Sequence, residues 1–399
     1  MKVTWAILLS LAPLMIASTL IFIADGLLVS SAGVLLARIN ASELSIGIIN
    51  ACFFAGALSC TLCAQILLAK VGYIRAFSVF NALFALSALM GAFNESLIIW
   101  GFARFLMGFA YYSIVLVIES WINARIVNSI RSRTLALYEA LFYSSFALGA
   151  AFIAFKLSAV QVLLVSAVFI VLGFLPLSLL TTKSPIAPSP RAISLPCILA
   201  VPRLALVASF IGGFCINGFL SMATLWAFVG GYSDKVAAAI VVIGMIGGFI
   251  SHMFFGQFSD KFGRKNAMIL ASLISLFAVL CFIFFKPNGL IAYILILPFG
   301  AGIFVLYALS LARANDEIKD KAMSVEISRA QLFSYLLASL IAAPIIGYLM
   351  KIFGADGFMY FYAFALSFMI LFASFNKTVH KDKRAPFMRR FKVFLSEHK

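Results

Sequence analysis

The sequence predicts an all-α integral membrane protein, with about twelve transmembrane helices in two pseudo-symmetric six-helix bundles. Three observations lead there. Of the 399 residues, 64% are hydrophobic and 11% charged, against about 45–50% and roughly a quarter in a soluble domain. The apolar runs are continuous and near the ~20 residues that a helix needs to cross a bilayer, not alternating ten-residue strands. Backbone groups in lipid must bond internally, so such runs are helices. The third observation is a repeat that spans half the chain.

The repeat is clearest at Gly256-Gln-Phe-Ser-Asp260-Lys261-Phe-Gly263-Arg264-Lys265, between two apolar runs. Gln65 to Ile74 aligns with it at an offset of 191 residues. Lys70 and Gly72 then fall on Lys261 and Gly263, while Ala69 replaces the acidic Asp260. Leu141-Phe142 falls on Leu332-Phe333, and Asp25-Gly26 falls on Asn217-Gly218 with one residue of slip. Duplicated halves of this size are a mark of transporter folds.

The spans follow in order. Helix one is expected from about Leu8 to Ala37, too long for a signal peptide, with Asp25 inside it. Helix two, Leu44 to Leu68, is rich in the small residues that let membrane helices approach closely. Helices three to six are expected near Ala76–Phe93, Leu97–Trp121, Leu135–Phe155 and Val160–Leu180. A stiff linker, Thr181 to Pro202, carries five prolines and has room only for a brief helix at Ile193–Leu199. Helices seven to ten are expected near Leu204–Phe228, Ala237–Phe258, Ala267–Phe285 and Leu290–Leu311. A loop of mixed sign follows, with Arg313, Asp316 and Glu317. Helix eleven begins near Glu326, and helix twelve ends near Phe375. This divides the chain into residues 1–180, a linker 181–202, residues 203–376 and a basic tail 377–399.

The net charge of +16 does not point to nucleic acid. Most Lys and Arg fall on one side of the expected spans, which places both termini in the cytoplasm. The basic tail is expected against anionic lipid headgroups. Cys60 and Cys63 form a C-x-x-C inside a helix with no second ligand pair, which reads as packing rather than metal or redox chemistry.

The pattern G-x-x-x-D-K-x-G-R-K resembles the cytoplasmic loop of the major facilitator superfamily of secondary transporters. Arg104-Phe-Leu-Met-Gly108 resembles that family's fourth-helix signature. The ending Glu119-Ser-Trp-Ile-Asn123 looks like a bacterial branch, the YcaD-like transporters. Helix five keeps Gly149 but lacks the proline of the antiporter motif. The resemblance implies the family fold and a central cavity lined by helices one, four, seven and ten. It also implies a gate at the loop Gly256, Asp260, Lys261, Gly263, Arg264, Lys265 and its worn copy at Lys70 and Gly72. The implied setting is a bacterial inner membrane, with a monomeric chain.

A charge at mid-membrane costs about 2.5–3.5 kcal/mol on the insertion scale, so it calls for a reason. Asp25 and Arg104 are the deepest candidates. They read either as a proton-binding carboxylate tuned by a cation or as a fixed ion pair between helices one and four. Tyr111 shares the face of Arg104, about two turns further along. Asn217 stands where the repeat places Asp25, as a neutral substrate contact or a helix–helix bond. Glu119 and Glu139 lie near Arg125, Arg131 and Arg133 and read as a gate cluster ahead of a proton relay. Trp226 reads as an interfacial belt residue, and His252 as a single polar helix contact.

The function this implies is alternating-access transport of a small organic solute, driven by protons, with no cofactor or metal. Uptake and efflux fit the residues equally. The alternatives are an uncoupled facilitator of the same fold and a membrane-embedded enzyme. H-E-x-x-H, G-x-S-x-G and a nucleotide-binding loop are all absent from the sequence.

Overall fold

The computed structural model describes residues 2–92, 96–125, 131–178, 185, 195–317 and 323–379. Among the described residues, twelve helices are long and apolar enough to cross a membrane. They are α1 Lys2–Arg38, α2 Glu43–Val71, α3 Tyr73–Ala92, α4 Leu97–Arg125, α5 Arg131–Ala151 and α6 Ala159–Ser178. The second set is α7 Arg203–Val229, α8 Asp234–Phe262, α9 Arg264–Phe285, α10 Gly289–Glu317, α11 Ser324–Phe353 and α12 Asp356–Ser374. No strand occurs among the described residues. Most of the linker, the side chains of Arg131 and Arg133, and the tail from residue 380 lie outside them; of the brief linker helix, a single turn at Ile198–Ala200 is described.

The chain forms two compact units. Unit 1 gathers the described residues of Met1–Leu35 and Cys52–Leu195. Unit 2 gathers those of Pro196–Lys399 and also Leu36–Ala51. That short segment is held in unit 2 by Arg38, whose guanidinium meets Asp234 at 3.0 Å, and by Asn50, which donates to the Ser221 carbonyl at 3.2 Å.

Glycine lets the helices approach closely, and it does so at repeat-related places. A Cβ on Gly56 or Gly108 would collide with the backbone of Phe105 or Phe53, where α2 crosses α4. A Cβ on Gly247 or Gly300 would collide with the backbone of Leu297 or Gly244, where α8 crosses α10. Gly56 and Gly247 stand at the 191-residue offset. Lipid supplies no hydrophobic force between helices, so such crossings rely on close contact.

Each unit has a helix enclosed by protein. α1 and α7 are each 83% buried over their most apolar window, against 33–56% for the other ten. Their polar residues therefore face protein rather than lipid.

Two expectations are corrected. α10 does not end at Leu311 but continues to Glu317, carrying Arg313 and Asp316 into buried positions. They pair with charges there, so the sign-mixed stretch folds as helix. Trp226 is not an interfacial anchor. It is 4% exposed, stacked on Phe358 at 5.2 Å and edge-on to Phe282 at 5.4 Å.

Candidate functional site

Asp25 sits on the enclosed α1 and is 4% exposed. The Tyr111 hydroxyl donates to its carboxylate, and Arg104 acts on it through charge. Its Oδ1 has no hydrogen-bond partner. Arg104, 1% exposed, donates from Nη1 to the Leu28 carbonyl at 3.4 Å and lies over the Phe53 ring at 4.9 Å. Tyr111 meets α1 at residue 25 and Arg104 meets it at residue 28, so α1 and α4 run antiparallel at this point. The shared face of Arg104 and Tyr111 read from helical spacing is the face that meets α1.

Aromatic rings pack around Tyr111, the phenol that meets the carboxyl. Tyr111 contacts Phe22 at 6.5 Å, Phe53 at 6.3 Å, Phe84 at 5.9 Å and Tyr112 at 5.3 Å between centroids. From α5, Tyr138 and Phe142 pack edge-on against Phe22 at 5.5 and 5.2 Å. Charges so enclosed interact more strongly than in water. A carboxyl with an open oxygen, a phenol donor and a nearby guanidinium can hold a proton, or release it when a ligand changes the local charge.

The structure brings Asp25, Arg104 and Tyr111 together in unit 1. Asn217 belongs to unit 2 and is engaged there. Its Nδ2 donates to Ser339 Oγ at 2.6 Å, and Tyr335 hydrogen-bonds to it. Ser339 in turn donates to the Tyr335 carbonyl at 2.7 Å. This joins α7 to α11 through neutral groups.

The loop between α8 and α9 turns at Gly263, whose φ of 97° and ψ of 152° favour glycine. Its worn copy turns at Gly72, also at positive φ, 81°. Gly256 is buried in the last turns of α8. Arg264 is 1% exposed and clamped: Nη1 donates to Ser259 Oγ at 2.7 Å and to Asp260 Oδ1 at 2.5 Å, and Nε to Asp316 Oδ2 at 3.2 Å. Lys265 donates to the Ser374 carbonyl at 3.1 Å, at the end of α12. Lys261 is exposed over the Phe262 ring. Lys70 is exposed at the matching point of the first copy.

Glu119 and Glu139 are solvent-accessible and lie within electrostatic reach of each other. His252 bonds through Nδ1 to the Gly248 carbonyl of its own helix at 2.7 Å. Sequence reasoning missed Asp316 as the partner of Arg264, because it ended helix ten too early. It also missed Tyr138, Phe22 and Phe53. Aromatics are abundant in this chain, and only three-dimensional packing singles these out.

A family profile, the Major Facilitator Superfamily, matches residues 14–325. The chain belongs to the major facilitator superfamily. Curated relatives include an uncharacterized MFS-type transporter YcaD of Escherichia fergusonii, 23% identical over 339 residues, covering 84% of this chain and 87% of the relative. One from Salmonella newport is 24% identical over 345 residues with the same coverage. Among solved structures, a mutant of the nucleoside transporter NupG superposes with a TM-score of 0.78 at 13% identity, over 96% of this chain and all of that one. A D-xylose-proton symporter gives 0.75 at 15% identity, over 95% and 99%. The chain is a multi-pass membrane transporter of this superfamily and not an enzyme.

Proposed function

We propose that this member of the superfamily is a proton-coupled secondary transporter of a small organic solute. The carrying observation is Asp25: a carboxyl enclosed in the most buried helix of unit 1, with one oxygen unbonded beside Arg104 and Tyr111. A purely structural pair would gain from saturating both oxygens, since a buried charge is tolerated only when fully paired. Asp25 takes and releases the proton. Arg104 sets how readily it does so, and Tyr111 and Asn217 offer polar contacts to the solute. The mechanism is alternating access by movement of two six-helix halves, residues 1–180 and 203–376. The loop at Gly256–Lys265 and its copy at Lys70–Gly72 serve the gate. The setting we propose is a bacterial inner membrane with both termini in the cytoplasm.

The test is a thermal-stability screen of the purified full-length protein against metabolites and organic cations at several pH values. A ligand at a hundredfold excess over its dissociation constant stabilises by about 2.7 kcal/mol. A hit that weakens in Asp25→Asn and in Arg104→Ala supports the reading. A hit indifferent to both makes the pair structural and the transporter an uncoupled facilitator.

A further inference from the structure

Two tyrosines of unit 2 meet over α7. Tyr307 of α10 and Tyr335 of α11 stand with ring centroids 4.5 Å apart, tilted by 46°. Both helices approach α7 at a pair of adjacent glycines. A Cβ on Gly213 would lie 2.1 Å from the Tyr335 carbonyl oxygen, and one on Gly212 would lie 3.0 Å from the Tyr307 nitrogen. Hydrogen bonds fix the three helices beside this point. Ser209 Oγ donates to the Gln331 carbonyl at 2.7 Å, and Gln331 Nε2 to Ser310 Oγ at 3.4 Å. The repeat does not account for the pair. At the 191-residue offset that matches Phe142 with Phe333, Tyr335 falls on Ser144 and Tyr307 on Leu116. At the 192-residue offset that matches Asp25 with Asn217, Gly212 and Gly213 fall on Leu20 and Ile21. The glycines and the rings they admit are thus particular to unit 2.

Both tyrosines are partly exposed, and not toward lipid. The lipid face of α10 is marked by Leu290, Ile291 and Ile294, 59–73% exposed, and that of α11 by Ile345, Tyr348 and Ile352, 38–53% exposed. Helical rotation turns Tyr307 about 150° and Tyr335 about 110° from those faces. The second exposed face runs on toward the end of α10 and the start of α11. Leu311 and Asn315 follow Tyr307 in steps of four residues, and Leu332 and Ser328 precede Tyr335 by three and seven. These residues offer rings, an amide and a hydroxyl, and none is charged. The acids that flank them in sequence are paired: Asp316 with Arg264, Glu317 with Arg313 and Glu326 with Arg329.

We propose that Tyr307 and Tyr335 form a stacking site for the solute, and that the solute is a planar aromatic or heteroaromatic ring without positive charge. The site rests on the reading of this chain as a carrier of a small organic solute, and not on proton coupling. Aromatic rings attract one another in offset or edge-on contact. A tyrosine supplies that contact at a small loss of conformational freedom, because few torsions need fixing. The hydroxyls and the Asn315 amide can then bond ring substituents. A cationic solute would find no open carboxylate on this face, whereas a neutral or anionic ring meets no opposing charge there.

The test is the binding of matched compounds to the full-length protein, read by thermal shift: uracil against dihydrouracil, benzamide against cyclohexanecarboxamide, and benzoate against cyclohexanecarboxylate. At least one planar compound should bind tenfold or more tightly than its saturated counterpart. Tyr307→Leu and Tyr335→Leu should each weaken that binding at least tenfold. Tyr307→Phe and Tyr335→Phe keep the rings and should weaken it threefold or less, which separates stacking from hydroxyl bonding. Footprinting of the unaltered protein removes any dependence on variants that fail to fold. With the planar compound bound, hydroxyl-radical oxidation of Tyr307 and Tyr335 should drop at least threefold, while Tyr348 on the lipid face stays unchanged. If no planar compound outbinds its counterpart, or if binding protects neither tyrosine, the inference is overturned. A saturated compound that binds and weakens in Asp25→Asn but not in Tyr335→Leu overturns it too, and leaves coupled transport standing. Stacking that is indifferent to Asp25→Asn and Arg104→Ala keeps this site and removes the coupling.

Discussion

The same place in the repeat is built in two ways. On α1 it holds Asp25, charged when ionised, with one oxygen unbonded. On α7 it holds Asn217, neutral and bonded to Ser339 at 2.6 Å and to Tyr335. Both helices are equally enclosed, so burial does not distinguish them. What differs is whether the polar group is satisfied by its own unit. A satisfied amide joins helices; an unsatisfied carboxyl keeps chemistry available. The two turn loops show the opposite assignment. Unit 2 keeps the clamped Arg264 with Asp260 and Asp316, while the unit 1 copy has lost its acid and keeps Lys70 exposed. One half carries an enclosed carboxyl with an open oxygen, and the other a charged, clamped loop.

The largest expected effect breaks the first contrast. In liposomes, a gradient of one pH unit is worth about 1.36 kcal/mol, or tenfold accumulation for one coupled proton. Asp25→Asn should reduce that accumulation to none while leaving solute exchange in place. Asn217→Ala should lower transport by no more than the loss of one hydrogen bond, about fivefold, and keep the gradient response. If Asn217→Ala alone removes coupling, the roles of the two halves are reversed.

Next comes the contrast between the loops. Arg264→Ala leaves the Asp316 side chain, 0% exposed, without its cation. Removing one partner of a buried pair typically costs about 3–5 kcal/mol. Lys70→Ala removes an exposed cation and should change stability by about 0.5 kcal/mol or less. Thermal melting of the two variants side by side measures the difference. Equal melting temperatures would mean that the clamp contributes nothing that the worn copy lacks.

The fold was legible because lipid imposes long apolar helices and duplication leaves a fixed offset. Gly72 and Gly263 could be matched by eye, and the structure gives both positive φ. The closeness of Asp25, Arg104 and Tyr111 was legible too, since intramembrane charges are rare and helical spacing places Arg104 and Tyr111 on one face. Asp316 was not. It follows Arg313 in a stretch that reads as polar loop, and only the burial of Arg264 shows why an acid is needed there. Trp226 was misread because a tryptophan near a helix end has the same sequence appearance whether it faces headgroups or Phe358. Tyr138 gave no signal beyond its neighbour Glu139.

The smallest effect sharpens the Asn217 side. Ser339→Ala removes the hydroxyl that receives the amide and that donates to the Tyr335 carbonyl. A neutral hydrogen bond is worth about 1 kcal/mol net, and the loss leaves Asn217 Nδ2 free within an enclosed helix. If the network only joins α7 to α11, the variant melts earlier by that amount and solute affinity is unchanged. If Asn217 also contacts solute, freeing its amide changes the affinity measured in the thermal screen, up or down, at constant coupling to pH. A change in affinity without a change in pH response would assign solute recognition to unit 2 and proton chemistry to unit 1.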